Sequence, residues 1–435
     1  MRVFASFDSA LRWNLGILFA AGLCFWAGLA GLLPTLPLFI ETLGATGSQI
    51  GIVMASFAFG LLVARPWLSR LADEQGRKLV LMIGIVAIAI APFLYLFALY
   101  LPPLEWQLSW GDRSLDVNGV LLLLMAFRAF HGLSIAAFVV AYSALIIDIS
   151  PPANRGELIG YMSLVNPIGM ALGPALGGFL LEWNDFSVAF IAMGILGIMG
   201  VLCISQVKES YTPTMERRLP GAPRPQFWSL LLTPRVRTPA FMLLLVGLAF
   251  GTLSTFIPLF VREAGIDLNV GLIYSTSAIA SFGIRLMVGR ASDRLGRGRF
   301  ITAGLLLYTL SMLTFWQAES AQVLLLAGLI QGAAAGTFIP MVAAMMGDRS
   351  AAHERGKVFG LVMVGFDVGI AFAGPVFGTF ADFVSYRGCF GLSGLMTLLG
   401  LLVFITTSSK DLDHSLRFSL GQGRDLYAVD LSPGK

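Results

Sequence analysis

The sequence predicts an all-α membrane protein of twelve transmembrane helices, arranged as two pseudo-symmetric six-helix bundles. Three observations carry this expectation. Of the 435 residues, 57% are hydrophobic and 12% charged, against about a quarter charged in soluble domains, and the mean hydropathy is +0.81. The apolar residues gather into runs of the length a bilayer requires, about 20 helical residues for a hydrocarbon core of about 30 Å. The two halves of the chain also repeat one another. Unsatisfied backbone groups are too costly in lipid for open strands, so each run reads as a helix.

The runs fall approximately at 14–40, 48–69, 79–101, 118–147, 157–181, 186–207, 239–261, 270–289, 300–317, 321–347, 357–381 and 386–408. The first follows a short polar start, Met1–Arg12. It is far longer than a signal-peptide core, so it is expected to stay in place as a helix. A charged loop, Ser69–Lys78, separates the second run from the third, and a longer polar stretch at about 102–118 separates the third from the fourth. Between the sixth and seventh lies the longest interruption, 208–238, rich in proline and carrying Lys208, Arg217, Arg218, Arg224, Arg235 and Arg237. The expected organisation is therefore a bundle over 1–207, a linker over 208–238, a bundle over 239–409 and a tail over 410–435. Counted by loop, 23 of the 29 Lys and Arg fall on the side that holds both termini. Three (Arg113, Arg262, Arg387) fall on the other side and three (Arg65, Arg128, Arg285) within runs. By the positive-inside rule both termini, the linker and the tail are cytoplasmic. The cysteines, Cys24, Cys203 and Cys389, lie far apart in apolar runs, so no disulfide or metal site is expected.

The internal repeat is specific. Ser69-Arg-Leu-Ala-Asp73-Glu-Gln-Gly76-Arg77-Lys78 recurs as Gly289-Arg-Ala-Ser-Asp293-Arg294-Leu-Gly296-Arg297-Gly-Arg299 at an offset of 220. His131-Gly132 recurs as Gln331-Gly332, and Asp148 with Arg155-Gly156 as Asp348 with Arg355-Gly356, at an offset of 200. Gly173-Pro174-x-x-Gly177 recurs as Gly374-Pro375-x-x-Gly378. The longer outside loop of the first half accounts for the change of offset. Parallel six-helix repeats joined by a cytoplasmic linker are the layout of alternating-access transporters, whose site lies near midplane at the repeat interface.

At these residues the chain resembles the major facilitator superfamily over nearly its whole length, and most nearly its twelve-helix branch of drug or metabolite antiporters. That family's loop motif after the second helix is G-x-x-x-D-[RK]-x-G-R-[RK]. The second-half copy follows it, with Gly298 as an extra residue, whereas the first-half copy has Ser69 and Glu74 at two motif positions. The resemblance implies a gating role for Asp73, Gly76, Arg77, Gly289, Asp293, Arg294, Gly296 and Arg297. The glycines allow a tight turn and close helix approach. The aspartates are suited to accept hydrogen bonds from a neighbouring helix N-terminus, and the basic residues to bind lipid phosphate or acidic partners.

Arg128-Ala-Phe-His131-Gly132 in the fourth run resembles the R-x-x-Q-G motif of proton-coupled members, with His131 where glutamine is usual. At about 15 Å depth an arginine is expensive in lipid and is expected to face a polar cavity or an acidic partner; structural pairing is the alternative. Gly169-x-x-x-Gly173-Pro174-x-x-Gly177-Gly178 in the fifth run matches the motif of the antiporter branches. Its glycines form a smooth stripe beside a proline bend, expected to pack against the opposite half. Asn166 and Asp367 occupy matching repeat positions near midplane on the face of that stripe. A carboxylate at such depth is desolvated and suited to carry a proton reversibly; a permanent structural partnership with an arginine is the alternative for Asp367. Arg128, Asp367 and His131 are thus the proton-coupling candidates. Asn166, Gln331, Phe25, Trp26, Phe57 and Phe256 are candidates to line the substrate cavity, although helix phase is not fixed by sequence.

The preferred functional expectation is a proton-driven exporter of a small drug-like or metabolite compound, in a bacterial cytoplasmic membrane and acting as a monomer. A proton symporter importing a metabolite, and a membrane receptor or scaffold, are the alternatives. The expected partners are a small-molecule substrate, protons and membrane lipid. No cofactor, metal or nucleic acid is expected. The chain has no H-E-x-x-H, G-x-S-x-G or P-loop, and its histidines, His131, His353 and His414, are scattered, which argues against an enzyme.

Overall fold

Each apolar run becomes a helix because it has no other way to pair its backbone in lipid. The computed structural model describes residues 7–102, 104–110, 113–151, 154–182, 185–209, 230–350 and 355–429. The first span is Ser9–Gly31, continued after a turn by Leu36–Thr42; the second and third are Gly47–Gln75 and Arg77–Leu99. The fourth is Gly119–Ile149, the fifth Arg155–Met162 continued by Val165–Glu182, and the sixth Phe186–Gln206. The seventh to tenth are Pro234–Glu263, Val270–Leu295, Arg297–Gln317 and Ala321–Asp348. A helical stretch over Arg355–Thr407 follows, broken at Ser385, where φ is 77°. Unbroken, its 53 residues would reach about 80 Å, more than twice the hydrocarbon thickness. It is therefore the eleventh and twelfth spans.

The spans overrun their expected limits at several ends, because polar caps and amphipathic turns extend a helix beyond its apolar stretch. Thr46 and Gln49 form a reciprocal capping box at the start of the second span, and the seventh begins at Pro234, inside the expected linker. The first outside loop holds a two-stranded antiparallel hairpin, β1 (Glu105–Trp110) and β2 (Arg113–Asn118), with Glu105 opposite Asn118. This departs from an all-helical reading outside the membrane only. Leu412–Ser419 forms a short helix in the expected tail.

Two compact units result: Met1–Arg218 with Asn269–Ser275, and Leu219–Leu268 with Thr276–Lys435. In the first, Phe25 stacks on Phe138 at 3.8 Å, and Phe138 on Tyr142 at 4.9 Å. In the second, Tyr308 meets Phe338 edge-on at 6.1 Å. The repeat read from the sequence governs packing inside both units. A Cβ on Gly132 would collide with the carbonyl of Phe57, and one on Gly332 with that of Ser277. Gly84 packs against Phe138 as Gly304 packs against Phe338. Each pair of contacts keeps the 220 and 200 offsets, so the same two helix crossings are built twice with glycine at the closest approach.

Candidate functional site

In the first unit the fourth span carries Arg128 and His131 to a position where the second and third spans supply Phe57 and Tyr95. Arg128 is 6% exposed and His131 fully buried. Arg128 Nη1 lies 3.2 Å from His131 Nδ1, and the Tyr95 hydroxyl lies 3.0 Å from the same nitrogen. A guanidinium only donates, so Nδ1 is the acceptor and the imidazole is the neutral tautomer with its proton on Nε2. The Arg128 guanidinium also lies 4.6 Å above the centre of the Phe57 ring, which stands edge-on to His131 at 5.2 Å. Arg128 Nε and His131 Nε2 are buried donors without a hydrogen-bond partner among the described residues. Among the described residues no carboxylate lies within ion-pair distance of Arg128. The arginine's charge is thus met by an imidazole lone pair and an aromatic face.

The other sequence-predicted residues divide. Phe57 belongs to this cluster. Phe25 is stacked in the core of its unit, with Trp26 edge-on to it at 5.5 Å, and Asn166 is half-buried in the first turn of Val165–Glu182. In the second unit Asp367 is 6% exposed and lies between Gly365 and Gly369, which bring the eleventh span into contact with the carbonyls of Ala240 and Leu244 on the seventh. Gln331 accepts a hydrogen bond from Ser277, the residue whose carbonyl meets Gly332. Phe256 is buried on the seventh span over Tyr386, at 6.0 Å. Tyr95 was missed in the sequence reading. It is one aromatic in an apolar run, and only helix phase reveals its role.

The glycine stripe of the fifth span faces the first span of its own half, which corrects the expectation that it packs on the opposite half. Cβ atoms on Gly169, Gly173 and Gly177 would meet the backbone or Cβ of Trp26, Ala27 and Gly31. Ala27 and Gly31 add little or no side chain at the crossing and Trp26 meets the stripe only through its Cβ and backbone, so the crossing closes inside the half. Gly178 and Pro174 instead meet Asn269 and Gly271, and Asn269 donates to Glu182 at 2.8 Å.

At the loop motif Gly76 and Gly296 both hold positive φ, 106° and 86°, as the residues preceding the third and ninth spans. Arg77 pairs with Asp73 at 2.6 Å and with Asp148 at 3.5 Å. In the second copy Arg297 pairs with Asp348 at 2.9 Å. Gly289 and Arg294 lie on the helix Val270–Leu295, as does the backbone of Asp293. The amides at the start of the third span go to Glu209 rather than to the motif aspartate: Arg77 N at 2.6 Å and Lys78 N at 3.1 Å. Lys78 Nζ donates to the Ser205 carbonyl at 2.9 Å. Nothing in the sequence marks Glu209, because the repeat places Ser409 at the corresponding position.

A family model described as Major Facilitator Superfamily matches residues 18–299 and 267–422. The chain belongs to that superfamily. Its members are transporters of small molecules, not enzymes, and the chain is a multi-pass membrane protein. It is 26% identical over 404 residues to the multidrug resistance protein MdtG of Serratia proteamaculans (strain 568), covering 89% of this chain and 92% of that one. It is 29% identical over 260 residues to the quinolone resistance protein NorA of Staphylococcus aureus (strain MRSA252); there the chain spans 60% of the relative's length. A point mutant of the nucleoside transporter NupG superposes with a TM-score of 0.72 at 15% identity, covering 91% and 99% of the two chains. A D-xylose–proton symporter superposes with a TM-score of 0.69 at 17% identity, covering 91% and 97%. These last two likenesses establish the fold.

Proposed function

We propose that this transporter is a proton-coupled exporter of small drug-like or metabolite compounds, with Arg128 and Asp367 each a proton-coupling residue. The observation that carries the proposal is the burial of Arg128 with no carboxylate in reach among the described residues. A guanidinium buried with only neutral partners is costly, and its place at this depth marks a functional residue whose counter-charge changes during the cycle. The buried carboxylate of Asp367 suits the complementary role. Ionised, it attracts a cationic substrate; protonated, it loses that attraction. Competition between proton and substrate for one carboxylate couples the two flows in opposite directions. The likeness to proteins named for multidrug and quinolone resistance supports export. His131 accepts from Arg128, so it holds the guanidinium in place in its neutral form.

The test measures substrate efflux and proton counter-movement in the same proteoliposomes. Asp367→Asn should abolish transport driven by a pH gradient while retaining substrate binding. Full proton-coupled transport by that variant overturns the assignment.

A further inference from the structure

The chain folds back after its last span and is tied down by a buried arginine. Arg349, 1% exposed, pairs with Asp425 at 2.6 Å and donates to the carbonyl of Ser408 at 2.7 Å. Its guanidinium also lies 5.1 Å from the Tyr427 ring. Val429 N donates to the Asp348 carbonyl at 2.9 Å. Between these anchors lies the helix Leu412–Ser419, which packs on the ninth and twelfth spans. Phe418 meets Phe404 at 6.1 Å, and Thr302 donates to the Ser419 carbonyl at 2.9 Å.

At about 100° per residue, the side chains from Leu412 to Leu420 sort into three consecutive arcs. Ser415, Phe418 and Ser419 are buried against the spans. Leu412, Leu416 and Leu420, four residues apart, are 56%, 39% and 57% exposed. Asp413, His414 and Arg417 are exposed and polar. A helix on the surface of a soluble protein needs two faces, one for the core and one for water. Three arcs imply three media, and where the last span leaves the bilayer the third medium is lipid. The two spans beneath present leucines of the same kind: Leu306 and Leu310 on the ninth, and Leu395, Leu399 and Leu402 on the twelfth, all exposed. We infer that Leu412–Ser419 is an interfacial helix whose Leu412, Leu416 and Leu420 insert into the boundary between headgroups and acyl chains, with the Arg349–Asp425 pair fixing its rotation.

The experiment reconstitutes the unaltered full-length chain in liposomes of phosphatidylethanolamine and phosphatidylglycerol that contain a phospholipid with a diazirine on its acyl chain. After photolysis, adducts are mapped by mass spectrometry. Adducts are expected on Leu412, Leu416 and Leu420, several-fold more abundant than on Asp413 and Arg417 and comparable with those on Leu306 and Leu395. Adducts on Leu306 and Leu395 but none on the tail leucines would overturn the inference. A second measurement places single nitroxides at 412, 416, 420, 413 and 417 in a chain with Cys24, Cys203 and Cys389 replaced by serine. Collision with oxygen should exceed collision with a water-soluble nickel chelate at the three leucine positions and fall below it at the other two. Preference for nickel at the leucines would make that face solvent-exposed, and exclusion of both reagents would mean that a protein partner or a second copy covers it; either result overturns the inference.

Discussion

His131 stands where the superfamily's motif has glutamine, and the geometry explains why the exchange is tolerated. Both side chains offer Arg128 an acceptor, the imidazole through Nδ1 and glutamine through its carbonyl oxygen. His131→Gln should therefore keep the fold and transport, whereas His131→Leu leaves the Arg128 and Tyr95 donors buried without their acceptor. Leaving such donors unsatisfied costs about 1–3 kcal/mol. The check is thermal unfolding of the two variants in the same detergent, with a clear fall in midpoint for leucine alone; an equal fall for both would mean that shape, not hydrogen bonding, holds the cluster. At this scale the sequence reveals depth but not direction. Arg128 and Asp367 are legible because a charge in an apolar run is expensive wherever it points. Phe25, Phe57 and Phe256 are indistinguishable in the sequence, and only helix rotation separates a ring under a guanidinium from rings in a core.

At the scale of elements, helices were legible and their fastenings were not. Apolar length and composition reveal the spans, while caps depend on residues brought from far along the chain. Glu209 is such a case: it accepts from the first two amides of the third span, where Gly76, with φ of 106°, offers no capping side chain. A side-chain cap contributes about 0.5–2 kcal/mol, and a carboxylate also favours the helix dipole. Glu209→Ala should accelerate hydrogen exchange at Arg77 and Lys78 and leave the far end of that helix unchanged; unchanged exchange at both ends would show the cap to be idle. The tail helix has an acidic cap too. Asp411 accepts from the backbone amide of His414 at 2.9 Å and from its ring at 2.7 Å, contacts that hold its carboxyl below the usual 3.8. Because the folded value is depressed, the cap is fully present above pH 3.8 and is lost as pH falls through the lower folded value. Exchange in Leu412–Ser419 should rise only in that acidic window. The glycine stripe teaches a related point: its spacing revealed a close crossing, but the partner, the first span of the same half, required the fold.

At the scale of the whole molecule, the repeat is the feature the sequence carries most completely. Its two offsets reappear as matched contacts of Gly132 and Gly332, and of Gly84 and Gly304. The β1–β2 hairpin is less legible, because it lies in a short polar loop outside the apolar runs, although Trp106, Leu108 and Trp110 alternate in it as strand residues do. Twelve crossings would place both termini on one side of the membrane, and the distribution of Lys and Arg predicts the cytoplasmic side. Glu74, in the last turn of the second span, and Asp267, between the seventh and eighth, are both exposed and lie on opposite sides in this topology. In a chain with Cys24, Cys203 and Cys389 replaced by serine, a single cysteine at Asp267 should react with an impermeant thiol reagent added to intact cells. One at Glu74 should react only after the membrane is opened. The basic residues carry this expectation, since 23 of 29 fall on the Glu74 side, and drawing that many charges across the bilayer opposes the bias that sets orientation during insertion. Labelling of Glu74→Cys in intact cells, with Asp267→Cys silent, would invert the topology and move the linker and the tail helix to the outer surface.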